Sequence, residues 1–279
     1  MSRTRPSTGV TDALPYANNE HPKAGDANPH RLRSVLIARF SALGDVAMTV
    51  PVIYSACACY PEVTFTIVTR STMTSIFINR PANLNVVGAN LENYSGVGGI
   101  YRLFRELRST YNFDAFIDLH DVLRTKILRM FCHMHRLPVA TINKGRKGKQ
   151  ALTRRHNKVL LPLTSTRARY RQTFHRIGLP VDNRFEGLYG HNRHVDPAIF
   201  SQITPPKDEG EAWVGIAPFA KHAGKIYPPS LMEQVVKRLS ALGYVKIFLF
   251  GAGDNEEETL GVWAERYPYT LSLAGKRYG

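Results

Sequence analysis

Apolar positions along this chain follow two periods, and the switching between them predicts its architecture. Val35-Leu36-Ile37-Ala38 is an unbroken apolar run of the kind that forms a strand buried on both faces. Arg39 to Gly44 reads as a short turn. From Asp45, residues Val46, Thr49, Val50 and Ile53 recur at helical spacing, giving a helix over 45–59 with its exit at Pro61. A strand rich in β-branched residues is expected at 63–68, a helical segment near 72–79 and a weak strand at 85–87. Ile100, Leu103, Phe104 and Leu107 mark a helix over 100–110. The strand Phe113 to Leu119 follows, then a helix carrying Val122, Ile127, Met130 and Phe131, and a strand at 139–142. Strands alternating with helices predict a parallel sheet covered on both faces.

Residues 144–158, K-G-R-K-G-K-Q-A-L-T-R-R-H-N-K, contain no acidic side chain. Their two glycines predict a loop with at most one helical turn near Gln150 to Arg155. Tyr170, Phe174 and Ile177 place a helix over 167–177, and 180–211 reads as an inter-domain connection. A second unit then repeats the alternation: a strand at 213–218, a basic loop at 219–228, a helix near 230–242 behind Pro229, a strand at 246–250, a helix at 256–266 and a strand at 270–273. The expected organisation is a disordered leader over 1–31, an α/β domain over 32–180, a linker over 181–211 and an incomplete α/β domain over 212–279. Three strands are few for a domain, whose usual size is ~100–150 residues.

Composition narrows the function classes. A net charge of +15 on 279 residues, with a pI near 9.9, calls for an anionic partner: nucleic acid, a phosphorylated sugar or lipid, or an acidic membrane surface. Cys57, Cys59 and Cys132 are too few and too irregular for a disulfide framework or a zinc site, and read as buried free thiols. No apolar run reaches the ~20 residues of a membrane span, and the N-terminus lacks a signal-peptide core, so a cytoplasmic location is expected.

Chemistry concentrates at strand ends. Asp45, at the crevice beyond the first strand, is an N-cap or dipole partner, or a general base that takes the proton of an attacking hydroxyl. Asp118, His120, Asp121 and Arg124 come from the fourth strand's end on the same side of the sheet. His120 reads as a lining residue, since no nucleophile elbow accompanies it. In P-F-A-K-H-A-G-K-I-Y-P, Lys221 and Lys225 flank a glycine before a helix N-terminus, which suits a diphosphate; the alternative is a solvated basic loop. Glu256 and Glu257 could meet a ribose hydroxyl or serve as a dipole-favoured first turn. Gly251-Ala252-Gly253-Asp254 is only half of a dinucleotide fingerprint and sits on the wrong strand, which argues against an NAD oxidoreductase.

The stretch V-L-I-A-R-F-S-A-L-G-D-V-A-M-T-V-P-V resembles the opening of the ADP-heptose:lipopolysaccharide heptosyltransferases, glycosyltransferase family 9. Ser41, Gly44, Asp45, Thr49 and Pro51 fill its S-x-x-G-D and T-x-P pattern. Asp118 through Leu123 and Arg124 looks like the family's acceptor-side segment. Val214 to Pro228 looks like its strand, loop and K-x-W-P element, with Tyr227 in place of tryptophan. The resemblance spans about 34–276. It implies a GT-B fold of two Rossmann-like domains and inverting, metal-independent transfer of a heptose from an ADP-sugar to a lipopolysaccharide core acceptor. No cofactor is implied beyond the donor itself.

Carried over by motif, Asp45 is the base, Lys225 a donor-phosphate ligand with Lys221 beside it, and Glu256 or Glu257 the nucleoside contact. Ser41, Gly44, Arg70, His120 and Arg124 fall on the acceptor side, and peripheral contact with the inner face of the membrane is expected. The family continues with an aspartate-to-histidine donor-binding segment, and this chain stops before it, so a truncation is expected here. The rival reading is a non-catalytic remnant that binds anions or nucleic acid through the 144–158 segment.

Overall fold

The computed structural model describes residues 32–189, 200–220 and 222–276. The described residues form two compact units, one up to residue 189 and the other from residue 200. Each is built on a parallel sheet.

In the first unit the strands are β1 (Ser34–Ala38), β2 (Thr64–Arg70), β3 (Leu84–Ala89), β4 (Ala115–Asp118) and β5 (Val139–Thr141), in the spatial order β3-β2-β1-β4-β5. Ile37 on β1 pairs with Ile67 on one side and Ile117 on the other, and Ala38 stands beside Asp118. Val35 to Ala38 are wholly buried because both faces of the sheet are covered. Val35 and Ile37 pack with Ile53, Phe65, Tyr170 and Phe174, toward α2 (Val50–Cys59) and α6 (Thr166–His175). Leu36 and Ala38 point the other way, with Ile100, Leu103, Phe104, Leu107 and Phe131, into α3 (Gly96–Tyr111) and α4 (Leu123–Met134). The order reverses between β1 and β4, which leaves a crevice at their carboxyl ends.

Four expectations are corrected. The helix over 45–59 is two helices, α1 (Leu43–Ala47) and α2, broken at Met48–Thr49. Pro51 has no N–H to give Ala47, and the Thr49 hydroxyl donates to the Val46 carbonyl at 2.7 Å instead of capping α2. Asp45 is therefore not an N-cap: Ala42 holds that position without a side-chain bond, and Asp45 lies within the first turn.

The basic 144–158 segment is not a loop throughout, because Arg146–Thr153 forms the helix α5. Gly145 starts it at φ +61°, where a Cβ would collide with the Arg169 guanidinium, and Arg, Lys, Gln, Ala and Leu then favour helix enough to carry Gly148. Cys59 is half-buried, whereas Cys57 and Cys132 are buried as expected. Burial pushes both buried thiols up to about 12, so they are inert at neutral pH.

The second unit has β6 (Ala212–Ile216), β7 (Val245–Leu249) and β8 (Thr270–Ser272) in sequential parallel order, with α7 (Pro229–Ser240) and α8 (Asp254–Arg266) as crossovers. Ile247, Leu249, Leu260, Trp263 and Val236 form its core. No helix among the described residues is long and apolar enough to cross a membrane.

Candidate active site

The crevice between β1 and β4 is assembled by Asp118. This wholly buried carboxylate accepts the backbone N–H groups of His120 and Asp121 through one oxygen, both at 2.8 Å, and its other oxygen faces Arg129 at 3.5 Å. The chain turns sharply there, with Asp121 at φ +49°. The turn aims His120 back across the sheet at the β1 exit. Phe40 N–H points at Nδ1 from 3.4 Å, which makes Nδ1 the acceptor and leaves the ring proton on Nε2, toward Ser41 Oγ at 3.3 Å. Burial, then the Arg39 and Lys144 charges, push His120 down to about 4, so the ring is neutral at physiological pH.

Arg39 is the residue that sequence reasoning passed over, reading it as part of a turn. Only 6% exposed, it donates from Nη1 to the Leu119 carbonyl at 2.7 Å and from Nη2 to the Asp45 carboxylate. Its position directly after a fully buried strand was the available signal: a cation there is rarely without a task. Tyr170, on α6, donates its hydroxyl to the Asp45 backbone carbonyl at 3.1 Å. The Asp45 side chain is thus anchored on one side while remaining 49% exposed on the other.

Ser41, Arg70, His120 and Arg124 line one cavity of about 380 Å³, together with Phe40 and Tyr94. Gly44 and Asp45 stand outside its lining, on the adjoining α1. The cavity thus offers two guanidinium groups, a hydroxyl and a neutral imidazole, a set suited to an anionic, hydroxyl-bearing molecule.

In the second unit, Lys225 ends a 3-10 turn, Ala223–Lys225, ahead of α7, and it is exposed. Lys221 lies outside the described residues. Glu256 and Glu257, in the first turn of α8, accept the backbone N–H groups of Ala252 and Gly253 at 3.0 and 3.1 Å, so both carboxylates close their own loop. No group of three or more metal-ligating side chains occurs among the described residues.

No protein-family model and no curated protein sequence matches this chain. Solved structures do. A glycosyl transferase of family 9 from Veillonella parvula superposes with a TM-score of 0.62 at 16% identity, covering 88% of this chain and 71% of that one. The fold is the GT-B-like fold of that protein. Escherichia coli heptosyltransferase WaaC, solved with ADP-2-deoxy-2-fluoro heptose, gives 0.59 at 19% identity over 86% of this chain and 76% of its own. E. coli ADP-heptose lipopolysaccharide heptosyltransferase II gives 0.57 at 15%, over 88% and 73%.

Proposed function

We propose that this protein is a glycosyltransferase of the heptosyltransferase type, moving a heptose with inversion from an ADP-sugar to a lipopolysaccharide core acceptor. The observation that carries the reading is Asp45: a carboxylate fixed by buried Arg39, open to solvent, beside a cavity of cationic and hydroxyl groups at the sheet's switch point. The solved heptosyltransferases of like fold, one of them holding an ADP-heptose analogue, support the choice of donor.

In this reaction an acceptor hydroxyl gives its proton to Asp45 as its oxygen bonds to the anomeric carbon. The bond from that carbon to the diphosphate oxygen breaks on the opposite face, and ADP departs with the electron pair. Arg70 and Arg124 hold the acceptor's negative charge, and Ser41 and His120 bond its hydroxyls. Lys225, with Lys221, balances charge on the leaving diphosphate.

Asp45→Asn tests this. Turnover of ADP-heptose on a core acceptor should fall by roughly 10²–10⁴-fold with ADP binding retained. Unchanged turnover overturns the assignment.

A further inference from the structure

The net charge of this protein falls in one stretch of its sequence. Residues 122–181 contain fifteen lysines and arginines and no aspartate or glutamate, while the rest of the chain carries 22 of each sign. Within that region α5 buries no residue, and every residue from 153 to 165 is exposed. The exposed stretch includes Leu160 at 76% and Leu161 at 67%, with Val159 and Leu163 beside them. The chain around these leucines is tied back to α5. Val159 N–H donates to the Ala151 carbonyl at 3.0 Å, Arg154 Nε donates to the Asn157 carbonyl at 2.5 Å, and Leu163 packs against α5 at Gly148. At the other end Asp121 pairs with Arg146 at 3.1 Å and accepts Lys144 Nζ on its carbonyl at 2.9 Å, tying α5 to the β4 turn.

We propose that Arg146–Leu163 is a membrane-docking element that seats on an anionic phospholipid bilayer. Leu160 and Leu161 enter the boundary between headgroups and acyl chains, and Lys147, Lys149, Arg154, Arg155 and Lys158 lie on the phosphates. Exposed apolar side chains flanked by cations without intervening acids match such a surface in both chemistries. A nucleic acid would answer the charge but leave the leucines in water, and 146–163 offers no Phe, Tyr or Trp on which bases stack. The inference does not rest on the transfer reaction, and its test needs neither donor nor acceptor.

The full chain is sedimented with vesicles of phosphatidylcholine alone and of phosphatidylcholine mixed with phosphatidylglycerol. Binding is expected only to the anionic vesicles, weakening with salt. Leu160→Ser with Leu161→Ser should lower it roughly tenfold with the circular dichroism spectrum unchanged. Leu160→Trp should add an emission that shifts to the blue on anionic vesicles. Equal binding to both vesicles, or no effect of the serine pair, overturns the proposal. Leucine-dependent self-association without lipid overturns it in favour of a second copy. Tighter, leucine-independent binding to RNA overturns it in favour of a nucleic-acid surface.

Discussion

The loops that follow β1 and β6 begin alike, each leaving a parallel strand and entering a helix, yet they are finished differently. After β1, Arg39 reaches Leu119 and Asp45, His120 meets Phe40 and Ser41, and Tyr170 braces the Asp45 backbone. After β6, Lys225 N–H donates to the His222 carbonyl at 2.9 Å within a 3-10 turn, and no carboxylate pairs with the Lys225 side chain among the described residues. The difference suits two tasks. A proton is passed over a hydrogen-bond distance, so its acceptor must be held still. A diphosphate can be gathered by long cationic side chains that settle only when the anion arrives.

That contrast can be broken at either loop. Lys225→Ala should weaken ADP binding by roughly 10–100-fold, as expected for a lost charged hydrogen bond, with no change in melting temperature. A calorimetric titration reads the first and a thermal scan the second. A drop in stability would show Lys225 to be as built-in as the first loop.

Arg39→Met should do the opposite, costing about 1–3 kcal/mol in denaturant unfolding and disordering Asp45, with ADP affinity unchanged. His120 gives the pH signature of the first loop. Its pKa near 4 in the folded protein lies below the ordinary 6.5, so the unfolded chain binds more protons between those values. Stability should therefore fall as pH drops from about 6.5 toward 4, be insensitive to this group above 7, and lose that slope in His120→Gln. The smallest effect is expected for Tyr170→Phe, about 1 kcal/mol from one lost hydrogen bond to the Asp45 carbonyl.

The strands were legible because burial on two faces writes itself as a continuous apolar run: β1 lies within Val35–Ala38 plus one residue. The crevice was legible for the same reason, since strand ends follow from strands. Ser41, Arg70, His120 and Arg124, four positions spread over more than eighty residues, meet at one cavity. What stayed hidden depends on contacts between distant segments. Nothing local says that Arg39 bonds the Leu119 carbonyl, or that Asp118 folds back on the amides after it. The break before α2 could have been read, because Pro51 removes a donor from any single helix there. α5 was masked by Gly145 before it and Gly148 within it, which signal a loop, although the Arg, Lys, Gln, Ala and Leu around Gly148 favour helix.

The confinement of net charge to 122–181 has a consequence in time as well as in affinity. With 22 cations and 22 anions elsewhere, the net charge of +15 is carried by one stretch of the chain rather than spread along it. An anionic surface would attract that stretch before any contact forms, from one Debye length, about 8 Å, away. Encounters through that stretch would then be favoured before contact, and their rate, more than their lifetime, would carry the salt dependence.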